Sequence, residues 1–209
     1  MEDLLSGLNE EQQLAVEHGQ GPLLILAGAG SGKTRVLTHR IAYLLQQGVR
    51  PEEILAITFT NKAANEMRQR VEAMVGTDVA AGIWLGTFHA ICGRILRSEI
   101  GRMGYNSNFV IYDTSDQQRL LRSGLKELNL DNKLYNPRTV QAVISRAKNE
   151  LVGPDGLERF WLQEGSKDYS SFWLEQVANI YSWYQRTLKE NNALDFDDLL
   201  RLTVDILQT

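Results

Sequence analysis

The chain has 209 residues, 43% of them hydrophobic and 23% charged, and a net charge of −4. That is ordinary globular composition and enough length for one large domain or two small ones, which excludes a disordered or fibrous polymer. The acidity excludes nucleic-acid binding by bulk electrostatics but leaves room for a local groove, and the single cysteine, Cys92, excludes an intrachain disulfide and suits a reducing compartment. No apolar run approaches the roughly 18 residues of a membrane helix, and Met1-Glu2-Asp3 lacks the basic start of a secretory signal, so no membrane partner and a cytoplasmic location are expected.

Leu8-Asn9-Glu10-Glu11-Gln12 opens a helix that runs to about His18, with Gly19 as its stop. Asn9 is a good N-cap and Gln12 stands three residues on, which satisfies a capping box. The Gln12 carboxamide is also suited to reading an adenine edge, because it donates and accepts together. Leu23 to Leu26 then form a continuous apolar run, the pattern of a buried parallel strand.

The strand runs into Ala27-Gly28-Ala29-Gly30-Ser31-Gly32-Lys33-Thr34. A glycine-rich turn between strand and helix lets backbone amides curl around an anion at a helix N-terminus. In that reading Lys33 reaches the β- and γ-phosphates of a nucleotide and the Thr34 hydroxyl ligates Mg²⁺. The general pattern G-x-x-x-x-G-K-[ST] has glycine where this chain has Ala27. The following helix carries Leu37, Ile41, Leu44 and Leu45 at helical spacing. Arg35 in its first turn is either a surface ion-pair partner or a guanidinium stacked on a base.

Ile54 to Thr60 is a second buried strand, and Thr60 caps a helix whose inward stripe is Ala64, Met67, Val71 and Met74. Ile83 to His89 repeats the arrangement ahead of a helix carrying Ile91, Ile95 and Leu96. Phe59, Phe88 and His89 taken singly are expected in the core. Two successive strands ending Thr-Phe, with Lys62 and His89 near, also match the parts of a single-strand nucleic-acid platform.

Beyond residue 100 the alternation gives way to helices, an inserted helical subdomain. Phe109 to Asp113 imitates an apolar strand ending in a metal-holding aspartate, but Asp113-Thr114-Ser115-Asp116 is a better helix start with Asp113 as N-cap. Pro137 begins a helix with Val140, Val143, Ile144 and Ala147 inward; Arg138, Gln141, Ser145 and Lys148 form a second face, expected to be solvated. Ser170 to about Glu190 is the longest helix, with a core stripe of Trp173, Val177, Ile180, Tyr181, Tyr184 and Leu188. Asp195, Asp197 and Asp198 are expected to serve a helix N-terminus and not a metal.

With these residues in view, the chain resembles the N-terminal part of the UvrD/PcrA/Rep group of superfamily 1 DNA helicases over essentially its whole length. Leu8-Asn9-x-x-Gln12 looks like the family's Q motif, in which glutamine recognises adenine. Ala27 to Thr34 matches its form of the phosphate loop, and Arg35 falls where the family packs an arginine against the base. Thr58-Phe59-Thr60-Asn61-Lys62-Ala63-Ala64 matches motif Ia, and Gly86-Thr87-Phe88-His89 matches the next DNA-contacting motif.

The resemblance implies an α/β fold, a RecA-like P-loop NTPase parallel sheet with a mainly α-helical inserted subdomain. It divides the chain into 1–91 (domain 1A), 92–190 (subdomain 1B) and 191–209 (return to 1A). It implies ATP and Mg²⁺ as cofactors, with Gln12, Ala27, Gly28, Ala29, Gly30, Ser31, Gly32, Lys33, Thr34 and Arg35 at the nucleotide. Phe59, Thr60, Asn61, Lys62, Thr87, Phe88 and His89 would contact single-stranded DNA near a single/double-strand junction.

The family's Asp-Glu motif, arginine fingers and second motor domain are absent, so the chain is expected to be a fragment, partnered in its parent by the remaining helicase domains and nearly inactive alone. A complete small nucleotide kinase using Asp113, and a non-catalytic DNA- or partner-binding piece, are the competing readings.

Overall fold

The computed structural model describes residues 4–163 and 169–208; the acidic start Met1-Glu2-Asp3 lies outside them. By internal contacts the chain separates into Met1–Ile91 and Cys92–Thr209.

In the first unit, α1 (Glu10–Glu17) is closed by the expected capping box: Asn9 Oδ1 accepts from the Gln12 amide at 2.9 Å, and Gln12 Oε1 accepts from the Asn9 amide at 3.1 Å. Helix α2 (Lys33–Gln46) packs against it, with Leu8, Val16 and Val36 buried between them. Strand β1 (Leu55–Thr58), helices α3 (Asn61–Val75) and α4 (Thr77–Gly82), and strand β2 (Trp84–Thr87) follow. β1 and β2 pair in parallel, with Thr58 level with Thr87. Helix α5 (Phe88–Glu99) leaves β2 directly. Ile41, Ala64, Met67, Val71, Ile83 and Leu85 form the core beneath this pair of strands. Leu37, expected inward, is 44% exposed because α2 buries Val36, Thr38, Ile41 and Ala42 instead.

The expected strand at Leu23 to Leu26 is not formed. Among the described residues they have no ladder partner, Leu24 and Leu26 are 80% and 86% exposed, and Ile25 alone turns inward to the α1/α2 core. The apolar run survives as a one-sided pattern, but a strand exists only through its neighbours' hydrogen bonds, and β1 pairs with β2.

In the second unit, β3 (Val110–Tyr112), α6 (Thr114–Glu127), α7 (Pro137–Asn149), α8 (Leu157–Gln163), α9 (Ser171–Glu190), β4 (Ala193–Asp195) and α10 (Phe196–Gln208) follow in order. Among the described residues β3 pairs only with β4, in parallel. Asp113 is the N-cap of α6 in a second capping box, accepting from the Asp116 amide at 2.8 Å. Helices α6, α7 and α9 enclose a core of Leu121, Leu125, Val140, Ile144, Val177 and Tyr181. Gly124 lets α6 approach α9: a Cβ there would lie 2.5 Å from the Trp183 ring.

Lys148 does not join a solvated face. It is 1% exposed, and its ammonium donates to Asp195 Oδ2 at 2.7 Å and Asp198 Oδ1 at 2.8 Å. The Tyr184 hydroxyl donates to Asp195 at 3.0 Å, and Gln185 Nε2 donates to Asp198 at 3.1 and 3.2 Å. Asp195 and Asp198 cap α10 as expected, with the Asp198 amide donating to Asp195 Oδ1 at 2.9 Å. They also neutralise one buried cation. Burial raises the Asp195 carboxyl, but the charge and hydrogen bond of Lys148 overcome this and hold it below the ordinary carboxylate range. Burial pushes Asp198 upward against the pull of Lys148, with the charge of Asp195 adding to the rise.

Removing one partner of a buried ion cluster leaves the others uncompensated, at a cost of about 3–5 kcal/mol. Lys148→Met is expected to lose that much stability at pH 7, read from urea denaturation followed by tryptophan fluorescence. The deficit should shrink as pH falls. Without the cation the two carboxyls titrate above their unfolded values, the folded variant binds more protons than the unfolded chain, and its stability rises toward acid.

Candidate functional site

The turn between the apolar run and α2 is built by glycines where the backbone demands them. Gly30 and Gly32 have φ of 78° and 86°, a region that costs other residues about 1–2 kcal/mol. The Ser31 amide and hydroxyl both donate to Gly28 O, at 3.4 and 2.8 Å, and fold the loop into a tight turn. Gly32 is the N-cap of α2 and supplies no side-chain acceptor. The first amides of α2 have no carbonyl one turn back, and the helix dipole adds partial positive charge there. A Cβ built on Gly28 or Gly30 meets nothing within 4 Å, so the loop faces open space.

Lys33 folds over this turn. Its ammonium donates to Ala27 O at 2.7 Å and Gly28 O at 2.6 Å. Two neutral carbonyls are weak partners for a cation compared with a polyanion. Thr34 follows in the same exposed first turn, and Ala29 sits exposed at the tip of the loop. The residues therefore fit a phosphate chain: amides and a helix N-terminus for the oxygens, a mobile-length ammonium at the rim, and a hydroxyl beside it.

Gln12 belongs to this loop as well as to α1. Its Nε2 donates to Ser31 O at 3.0 Å while its Oε1 completes the capping box. Arg35 is exposed, with its guanidinium 3.0 Å from where a Cβ of Gly7 would stand; Gly7 has φ 76° and lies in the turn before α1. A cleft of about 180 Å³, bordered by Asn9, Gln12, Ala27, Ser31 and Lys33, opens between α1 and the loop. A larger groove of about 530 Å³, lined by Leu45, Val49, Arg50, Met74 and Val79, is mainly apolar and contains none of the expected site residues.

Arg40 holds α1 in register with the loop. Its Nη1 donates to the carbonyls of Ala15, Val16 and His18 at 3.2, 3.1 and 2.8 Å, closing the C-terminal end of α1 from the neighbouring helix. Sequence reasoning missed this residue, since its partners lie 22 to 25 positions away and no local pattern marks it.

The second cluster lies where β1 and β2 end. Phe59 is 90% exposed and Phe88 42% exposed, contrary to the core placement expected of each singly. Their rings stand 5.5 Å apart at a 42° tilt. Thr60 is used as the N-cap of α3, accepting from the Ala63 amide at 3.1 Å, and Thr87 accepts from the Ala90 amide at 3.3 Å. Asn61, Lys62 and His89 are exposed on the first turns of α3 and α5. An exposed aromatic pair flanked by helix N-termini and a lysine offers stacking and phosphate contacts together.

The chain belongs to the UvrD/REP helicase family: residues 8–209 match the UvrD/REP helicase N-terminal domain. Among its relatives are ATP-dependent DNA helicases called PcrA. It is 52% identical over 204 residues to that of Bacillus subtilis (strain 168), covering 97% of this chain and 26% of the relative. Against PcrA of Leuconostoc citreum the identity is 49% over 210 residues, and against that of Staphylococcus aureus (strain Mu50 / ATCC 700699) it is 50% over 209; both alignments cover 100% of this chain and 27% of the relative. The chain thus spans about a quarter of the length of these curated relatives.

Arg40→Ala is expected to free the C-terminal carbonyls of α1 and to lower stability by about 1.5–3 kcal/mol, the scale of hydrogen bonds from a charged donor. Chemical denaturation of the variant, with amide exchange in Glu10–Glu17 as a local readout, checks it.

Proposed function

We propose that these 209 residues are the nucleotide-binding and single-strand-contacting part of an ATP-dependent 3′→5′ DNA helicase. The observation that carries this is the N-terminus of α2, which lacks a side-chain cap and follows a turn that is open at Gly28 and Gly30, with the Lys33 ammonium folded onto the turn's carbonyls. Gln12, Ala27 to Thr34 and Arg35 would hold ATP, with the loop amides and Lys33 on the phosphates and Arg35 and Gln12 on the base side. When bound, ATP with Mg²⁺ would supply the phosphoryl-transfer chemistry of the parent protein, and the Thr34 hydroxyl, in the first turn of α2, would ligate the metal.

Phe59, Thr60, Asn61, Lys62, Thr87, Phe88 and His89 form the proposed DNA track. Phe59 and Phe88 give bases a stacking surface, and Asn61, Lys62 and the amides of the following helices address the backbone. Thr60 and Thr87 act through the helix starts they cap. The approach of this track to a single/double-strand junction, and the union of this chain with further motor domains of a longer parent acting in the cytoplasm, belong to the same reading. Leu23 to Leu26 would be a strand of a RecA-like parallel sheet, its one-sided apolar pattern and the parallel β1/β2 pair being the support. In this reading 1–91 is domain 1A, 92–190 is subdomain 1B and 191–209 leads back to 1A.

The nucleotide-kinase reading loses its metal residue. Asp113 caps α6, its carboxyl is held below the ordinary range by the Asp116 amide, and among the described residues β3 pairs only with β4.

Two measurements test the proposal. Calorimetric titration with Mg·ATP should show binding that Lys33→Ala weakens at least about tenfold, the worth of a charge-assisted contact; absence of binding by the unaltered chain overturns it. The 209 residues contain no Asp-Glu pair, so DNA-stimulated turnover by this chain alone, abolished in Lys33→Ala, would contradict the assignment of hydrolysis to a larger assembly. Anisotropy of a labelled oligothymidylate should report binding that weakens with salt and loses about 1–3 kcal/mol in Phe59→Ala. Equal affinity of the variant removes Phe59 from the track.

A further inference from the structure

We infer that Gln12 is a positioning residue for the phosphate-binding loop, setting the direction of the Gly32 amide through the Ser31 carbonyl, in addition to any contact with a base. The inference rests on the nucleotide-binding reading above and deepens it.

The argument begins with the peptide plane. Ser31 C=O and Gly32 N–H belong to one trans peptide, so they point in opposite directions. Gln12 Nε2 holds Ser31 O at 3.0 Å, which turns the Gly32 N–H away from α1. An amide adjoining the start of α2 is one of the donors that a loop of this kind offers to phosphate oxygens. Fixing its orientation before a ligand arrives removes a reorganisation cost from binding.

The carboxamide is itself fixed. Its Oε1 accepts from the Asn9 amide at 3.1 Å, so Nε2 is the end turned toward Ser31. Asn9 in turn accepts from the Gln12 amide at 2.9 Å, and Arg40 ties the other end of α1 to α2. The contact also requires glycine at position 32: a Cβ there would lie 2.8 Å from Gln12 Nε2. Gly32 is therefore demanded twice, by its φ of 86° and by the seat of the carboxamide.

A carboxamide has two donor hydrogens and an oxygen with two lone pairs. The capping box and Ser31 use one of each. One hydrogen and one lone pair remain, so the same side chain has the capacity to touch a base while holding the loop.

The test separates three roles with a ligand that has no base. Inorganic tripolyphosphate and ATP are titrated into the unaltered chain, Gln12→Glu and Gln12→Met, with circular dichroism to confirm folding. Glutamate keeps the capping-box acceptor and loses the donor to Ser31; methionine loses both without adding charge. If Gln12 positions the loop, both variants weaken tripolyphosphate about three- to tenfold, the worth of one lost hydrogen bond, and ATP at least as much. The Gly32 amide resonance should also move in both variants without ligand.

Unchanged tripolyphosphate affinity in the two variants overturns the inference and leaves Gln12 with the base and the cap alone. Weakening in Gln12→Glu only overturns it as well, because charge repulsion explains that result. If the unaltered chain binds neither ligand, the nucleotide-binding reading itself fails, an outcome distinct from variants that bind like the unaltered chain. Should either Gln12 variant fail to fold, Gln12→Ala serves in its place, since it removes the carboxamide while keeping a good helix former and must weaken tripolyphosphate by the same factor.

Discussion

The constraint that orders this chain is the set of unsatisfied amides at the start of each helix. Every strand in the described residues passes into a helix within two or three residues, and at each passage a side chain takes up the free N–H groups. Thr60 does so after β1, Thr87 after β2, Asp113 after β3 and Asp195 after β4. At α2 the same position is Gly32, which has no side chain to offer. Four strand-to-helix junctions are closed internally, whereas α2 starts without a side-chain acceptor, as does the short α4 at Gly76. At α2 alone of these two the uncapped start carries the Gly-Lys-Thr signature.

In the second unit the governing interaction is the buried cluster of Lys148, Asp195 and Asp198. It links three elements distant in sequence, α7, β4 and α10, and it draws α9 in through Tyr184 and Gln185. A buried cluster of this kind adds little net stability compared with well-packed apolar residues. Its effect is on specificity, because any other packing of α7 against α10 would strand a charge. The Tyr184 hydroxyl, pushed up mainly by burial and further by Asp195, stays protonated and remains a donor.

How much was legible in the sequence follows from how far each signal reaches. Helices announced by their own caps, with Asn9 and Gln12, Asp113 and Asp116, Asn136 and Pro137, or Ser170, begin where expected, because a cap is complete within four residues. Lys148 was expected in solvent since its partners lie 47 and 50 residues away and no periodicity records them. Leu23 to Leu26 read as a buried strand because composition reports what a segment needs, and its need for neighbours is unmet among the described residues. For the candidate site, the loop and Gln12 were legible as a pattern. The exposure of Phe59 was not, since hydrophobicity alone places a phenylalanine inside.

The open apolar run has a consequence for how this polypeptide behaves in solution. Leu24 and Leu26 stand out of one side of a segment whose backbone joins no ladder, and natural sheets avoid leaving such ribbons bare because they invite edge-to-edge pairing. No charged residue interrupts the stretch from Gly19 to Ser31, so nothing within it repels a second ribbon. The segment that leads into the glycine-rich turn therefore presents two bare leucines beside unpaired backbone, the combination that edge-to-edge pairing exploits.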